Sequence, residues 1–145
     1  TGKTTTAAAI ICGWLKTNRG PCLATAFSNR GADNIAERLW SLGVGVLRMG
    51  LCSADDPYSL DSWLRKCGER RGTRGMQAVL QRIDVVVATC IGCGMGPMDT
   101  LTFPFIVVDE AAQVIEPALL LPLGKGAVQA VMVGDQCQLP ATVLS

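Results

Sequence analysis

Five short runs of this chain are almost wholly apolar: CLATAF (22–27), VGVLRM (44–49), DVVVATC (84–90), FPFIVVD (103–109) and QAVMVGD (129–135). No other feature restricts the fold as much. A strand with one wet face alternates apolar and polar residues, whereas a strand covered on both faces has no reason to. The runs therefore predict the buried strands of a parallel sheet, joined by helices that pack on both of its faces. The segments between them agree. After Thr4, apolar Ala8, Ile11, Cys12 and Leu15 recur at helical spacing. Ile35, Ala36, Leu39 and Leu42 do so opposite Asp33, Asn34, Glu37 and Arg38, with Gly43 as a stop. Residues 50–82 are more polar and predict two short helices, over 59–67 and 76–82, with Gly68, Gly72 and Gly75 as breaks. EAAQVIEPALLLPLG (110–124) reads as helix interrupted by Pro117 and Pro122. At 145 residues, 49% of them hydrophobic, the chain has material for one domain core.

The net charge of +1 gives the whole chain no electrostatic footprint for a polyanion, so a nucleic-acid contact has to come from a local patch or from backbone groups. No stretch approaches the length of a membrane span and no secretory signal pattern opens the chain, so neither a membrane partner nor export is expected. The seven cysteines are odd in number and most lie in apolar segments, as buried, reduced thiols of an intracellular protein do. CIGC, Cys90 to Cys93, has C-x-x-C spacing, but the chain has no histidine and no second such pair. Zinc is therefore not expected, and the plain reading is two small residues near a strand end.

Three stretches carry chemistry. The first is Gly2-Lys3-Thr4, the second half of G-x-x-x-x-G-K-[ST], followed at once by an alanine-rich helix. In such a loop the backbone N–H groups at a helix N-terminus wrap phosphates, the lysine reaches the β- and γ-phosphates and the threonine hydroxyl binds Mg²⁺. The second is FIVVDEAAQ, a buried strand that delivers Asp109 and Glu110 to its carboxyl end, where open α/β sheets bind ligands. Asp109 would hold the Mg²⁺ shell and Glu110 would polarise an attacking water; the plainer reading has Asp109 only capping the next helix. The third is VMVGDQCQLP, where Gln138 would sit beside the γ-phosphate and report its presence, or else belong to a surface turn of Gly, Asp, Gln and Pro.

In this order the three stretches resemble the RecA-like first motor domain of superfamily 1 helicases, in the group that contains senataxin and the nonsense-mediated-decay helicase. Motif II of that group looks like VDEAAQVIEP and motif III like VGDQCQLP. ATAFSNRGADNIAERL is similar to motif Ia, with Phe27 where the usual string has proline, and VVVATCIG resembles the next block. The matched blocks span residues 1–48 and 84–145.

The resemblance implies an α/β, RecA-like P-loop NTPase fold of three layers with a parallel sheet, truncated because the strand before the P-loop is missing. Residues 1–145 would be a partial ATP-binding domain, with 50–82 a short inserted, partly helical basic segment. It implies ATP-dependent, 5′-to-3′ unwinding, with ATP and Mg²⁺ held by Thr1, Gly2, Lys3, Thr4, Thr5, Asp109 and Gln138. Thr4 and Asp109 would be the metal ligands, and Glu110, Lys3 and Gln138 the catalytic residues. Single-stranded RNA or DNA would cross Ser28, Asn29, Thr89 and Gly92. A second RecA-like domain of the same protein would bring an arginine finger and half the nucleic-acid track, in the nucleus or the cytoplasm. The missing strand would lie beside the motif III strand, leaving that edge open and the piece inactive alone. Arg65, Lys66, Arg70, Arg71 and Arg74, against Glu69, form either a phosphate-contacting patch or an ordinary solvated loop. Two other functions share part of the pattern: a nucleotide- or RNA-binding remnant without catalysis, and another P-loop enzyme such as a small-molecule kinase, which leaves GDQCQLP unexplained.

Overall fold

The computed structural model describes residues 2–17, 21–113 and 116–134. Helix α1 (Gly2–Leu15) leads to strand β1 (Cys22–Ala26), helix α2 (Asn29–Ser41) and strand β2 (Val46–Arg48). Helices α3 (Leu60–Cys67) and α4 (Thr73–Leu80) precede strand β3 (Val85–Thr89). Two 3₁₀ turns, Ile91–Gly94 and Gly96–Thr100, connect to strand β4 (Phe105–Asp109), and helix α5 (Glu116–Leu123) to strand β5 (Gln129–Met132). The strands form one parallel sheet in the order β2-β3-β1-β4-β5.

Alternate residues of each strand enter different layers, which explains the unbroken apolar runs. Cys22, Ala24, Val85, Val87, Phe105 and Val107 meet Ala7, Ala8 and Ile11 of α1 and Ile35, Ala36 and Leu39 of α2. Leu23, Val86, Ala88, Ile106 and Val108 face the other way, onto Trp63, Leu64, Val79, Met98, Phe103 and Ala118. The three-layer α/β fold with a parallel sheet expected from the sequence is the one observed.

Local chemistry sets the boundaries. The Ser28 hydroxyl caps α2 by accepting from the Gly31 N–H at 2.9 Å. At the other end Gly43, with φ 82°, closes a Schellman turn in which Gly43 N–H donates to Trp40 O and Val44 N–H to Leu39 O. Helix α4 starts three residues earlier than its apolar pattern suggests. Gly75 is not a break but a buried helical position, where a Cβ would stand 2.1 Å from the Arg70 carbonyl oxygen. The proline-interrupted segment is a 3₁₀ turn over Ala111–Gln113 and then α5, with Pro117 in the first turn, where no N–H is needed.

The two sheet edges differ. At β2, Tyr58 O accepts from Arg48 N–H and the Trp63 indole N–H donates to Val46 O at 2.7 Å, so the edge is covered. At β5 the residues are largely exposed, and the adjacent Val128 is 87% exposed.

Candidate nucleotide site and nucleic-acid edge

Strand register assembles the site. Ala26 at the end of β1 is paired with Thr89 on one side and with Asp109 on the other. Three strand ends therefore stand in one row, spaced about 4.8 Å apart as neighbouring strands are. Each hands its chain to the next element directly over that row: Ser28 and Asn29 after β1, Gly92 after β3, Glu110 after β4.

Asp109 is 3% exposed, and its Oδ1 accepts from the Glu110 N–H at 2.8 Å. Burial raises its carboxyl above the ordinary 3.8; the Glu110 N–H pulls it down, the Glu110 charge pushes it up and the Lys3 ammonium pulls it down. A single buried carboxylate at a strand end suits Mg²⁺, which keeps several waters and takes one or two carboxylates together with phosphate oxygens. Among the described residues no three His, Cys, Asp or Glu groups cluster as a metal cage. Thr4 and Thr5 line a shallow cleft toward Asn34, Glu37, Arg38 and Ser41 of α2. Gly2 opens the first turn of α1, its carbonyl accepting from the Thr6 hydroxyl at 2.8 Å. Thr1 and Gln138 lie outside the described residues.

Glu110 has left-handed backbone, φ 56°, unusual for a residue with a side chain. Its carboxylate reaches across to the start of α2, where Oε1 accepts from the Ser28 N–H at 3.2 Å and from the Ser28 hydroxyl at 3.0 Å. Gly31 makes room, since a Cβ there would stand 2.1 Å from Glu110 Oε1. Two residues that the sequence assigns to different ligands, Glu110 to water and Ser28 to the strand, are hydrogen-bonded to each other.

Asn29 is exposed, and its Oδ1 accepts from Arg48 Nη2 at 3.2 Å. With its oxygen on the guanidinium, the amide turns its NH₂ donors away from Arg48. Thr89 Oγ1 accepts from the Gly92 N–H at 3.0 Å, and a Cβ on Gly92 would stand 2.9 Å from that oxygen. The two form one turn at the end of β3.

Arg48 is the residue that sequence reasoning missed. It is 1% exposed, donates from Nε to Asp33 Oδ1 at 3.0 Å and from Nη1 to the Met49 carbonyl, and holds Asn29. The signal was an arginine inside the apolar run VGVLRM, since arginine is almost never fully buried without partners.

Cys90 and Cys93 are buried, with S–H groups directed to Thr25 Oγ1 and Thr89 O. Burial pushes the Cys90 thiol up and that of Cys93 to about 12, the reverse of a poised nucleophile or metal ligand. The basic segment is partly paired within itself. Arg71 pairs with Asp61 at 2.9 Å, Arg74 with Glu69 at 3.4 Å, and Lys66 lies 4.5 Å from the Trp63 ring centre. Arg65 donates to Ala54 O and Ser62 Oγ, and Arg70 is exposed. No described helix is long and apolar enough to cross a membrane.

The family model described as AAA domain matches residues 54–145. The chain is 32% identical over 175 residues to the ATP-dependent helicase NAM7 of Saccharomyces cerevisiae, covering 99% of this chain and 18% of that protein. It is 29% identical over 176 residues to the Regulator of nonsense transcripts 1 homolog of Drosophila melanogaster, covering 99% of this chain and 15% of that protein. With Helicase sen1 of Schizosaccharomyces pombe it shares 42% identity over 74 residues, 50% of this chain and 4% of that protein. The chain thus spans less than a fifth of the length of these relatives. By the family match, the chain belongs to the AAA domain family, and two of these relatives are helicases by name.

Proposed function

We propose that this chain is ATP-hydrolysing motor-domain sequence of a 5′-to-3′ helicase that moves on single-stranded RNA or DNA, in the nucleus or the cytoplasm. The observation that carries the reading is the strand register that pairs Ala26, which leads into α2, with Thr89 and with Asp109, so that the acid pair follows from the same sheet end. Lys3 and the first N–H groups of α1 take the β- and γ-phosphates of ATP, with Gly2 and Thr5 in the same turn and Thr1 next to them in the sequence. Asp109 and the Thr4 hydroxyl would hold Mg²⁺, which supplies neutralising charge for the phosphate oxygens. Glu110 accepts the proton of the water that attacks the γ-phosphorus as the bond to the β-phosphate oxygen breaks. Gln138 senses the γ-phosphate. Asn29, Ser28, Thr89 and Gly92 meet the phosphates of the strand, which suits small polar groups that read no base.

Residues 1–145 act as one ATP-binding unit with 50–82 as its inserted segment. Turnover at motor rates needs a second RecA-like domain, whose arginine finger is worth about 10³- to 10⁵-fold in related hydrolases. The names of two relatives, an ATP-dependent helicase and a helicase, support the reading. The test is Glu110→Gln in the full-length protein. ATP affinity should hold while turnover falls by roughly 10²-fold or more. Unchanged kcat would remove Glu110 from the role, whereas no turnover by the unsubstituted protein would leave a nucleotide-binding remnant as the better account.

A further inference from the structure

We propose that the groove between α3, α4 and the Gly96–Thr100 turn docks an amphipathic, acidic helix of a protein partner. The groove has a volume of about 540 Å³, and its floor is Leu60, Leu64, Met76, Leu80 and Leu101. These residues pack on one side against the core beneath the sheet, yet all except Leu64 stay only half-buried. None of the residues that line the groove belongs to the row of strand ends. Its walls are fixed. Ser59 caps α3 by accepting from the Ser62 N–H at 3.1 Å, and Gly68 ends that helix in left-handed backbone at φ 68°. The chain then turns back into α4, with Gly75 close against the Arg70 carbonyl. Arg71, on one wall, donates to both oxygens of Asp61, at 3.0 and 2.9 Å. A preformed apolar trough needs no ordering when a ligand enters.

Shape and charge select the occupant. Among the described residues no strand lines the groove, so an extended peptide finds no edge to pair with. No aromatic side chain lines it either, and its one charged lining residue, Arg71, is already in an ion pair, so neither the bases nor the phosphates of a nucleic acid find a partner there. A helix does fit. The 8 residues of α4 make a wall about 12 Å long, and a helix presents apolar residues at i, i+3 or i+4, and i+7 over about 10 Å. The rim sets the sign of the partner. Over residues 59–75 five cations, Arg65, Lys66, Arg70, Arg71 and Arg74, stand against two carboxylates, Asp61 and Glu69, a surplus of three in a chain whose net charge is +1. Arg70 and Arg74 are exposed in a recess over Gly68–Gly75 that shares Arg71, Gly72 and Thr73 with the groove. Helix α4 begins there with no side-chain cap and no acidic residue in its first turn. Carboxylates flanking the apolar stripe of the partner complement both features.

The experiment titrates the full-length protein into a fluorescein-labelled peptide of about 15 residues, with leucines at i, i+3, i+4 and i+7 and glutamates at both ends, and follows anisotropy. Saturable binding that weakens with added salt is expected. Met76→Gln keeps the size of the side chain but loses apolar contact, and should weaken binding about tenfold. Arg70→Glu together with Arg74→Glu turns the surplus of three into a deficit of one. That exposed pair should weaken binding at least as much and remove the salt dependence, which keeps the test valid should Met76→Gln lower the melting temperature. A control peptide with lysines in place of the glutamates should not bind. Strand-stimulated ATP hydrolysis should stay at the wild-type rate in the rim variant, so the readout does not depend on the role given to Glu110. The proposal is overturned if the unsubstituted protein does not bind the acidic peptide, or if both variants bind it as well as wild type. It is equally overturned if the rim variant loses poly(U) affinity and keeps the peptide, which would give the basic turn to nucleic acid. Self-association that Met76→Gln abolishes, with no peptide binding, would assign the groove to a second copy of this chain instead.

Discussion

Removing the exposed partner of the Arg48–Asp33 ion pair should cost more than removing the buried one. The Arg48 side chain has 0% exposure and Asp33 has 48%. Asp33→Ala leaves a guanidinium in the interior with two acceptors, Met49 O and Asn29 Oδ1, and no countercharge. An uncompensated buried charge costs about 3–5 kcal/mol when fully enclosed; water can enter where Asp33 stood, so about 2–3 kcal/mol is the expected loss. Arg48→Met removes the charge itself. Asp33 and Asn29 rehydrate at the surface, the unbranched Met fills much of the space, and only the buried Met49 carbonyl is left without its partner, for about 1–2 kcal/mol. The double variant should be no worse than Arg48→Met, because the charge whose desolvation dominates is gone. Urea unfolding followed by the fluorescence of Trp40 and Trp63, which pack edge-to-face at 6.2 Å, reads both variants. Arg48→Met should also weaken single-strand binding, since Asn29 loses the donor that orients its amide. If Asp33→Ala proves the milder change, the burial argument for Arg48 is wrong.

Asp109→Asn should stabilise the nucleotide-free protein while abolishing Mg²⁺-dependent turnover. Burial raises the Asp109 carboxyl above 3.8, so the unfolded chain ionises first as pH rises, and the stability present at acid pH is lost as pH climbs through the raised value. Asn keeps an Oδ1 for the Glu110 N–H and carries no charge; the variant should melt above wild type at pH 7, with the gap closing below the ordinary carboxylate value. A gap that persisted in acid would point to packing instead. Cys22 and Cys93, pushed up to about 12 mainly by burial, should resist iodoacetamide at pH 9 in the folded protein and react once it is unfolded in urea. By the same linkage the unfolded thiols ionise from 9.0, so stability should decline between there and about pH 12.

Much of the fold was legible because it follows from local rules. Apolar runs without alternation belong to strands covered twice, and the parity of Leu23 and Ala24, or Val86 and Val87, then assigns each residue to a layer. Gly43 and the helical spacing of Ile35, Ala36 and Leu39 marked α2 in the sequence, whereas the Ser28 cap did not stand out there. The start of α4 was not legible, because Gly75 signals flexibility in a sequence but here permits close packing against the Arg70 carbonyl. The charge of the 65–74 segment was legible; its pairing was not, since Asp61 lies ten residues from Arg71 and meets it only across the α3–α4 turn.

By itself the sequence determined which chemistry the strand ends carry: an acid pair after β4, a Ser-Asn turn after β1 and a threonine ending β3, because strand ends and helix starts are encoded in neighbouring residues. Tertiary structure alone decided how those ends stand to one another. Ala26 pairs with both Thr89 and Asp109, Arg48 turns the amide of Asn29, and the carboxylate of Glu110 rests on Ser28, 82 residues away. Hydrogen bonds between groups so far apart in the chain depend on strand order and register, which long-range packing sets and no local pattern contains.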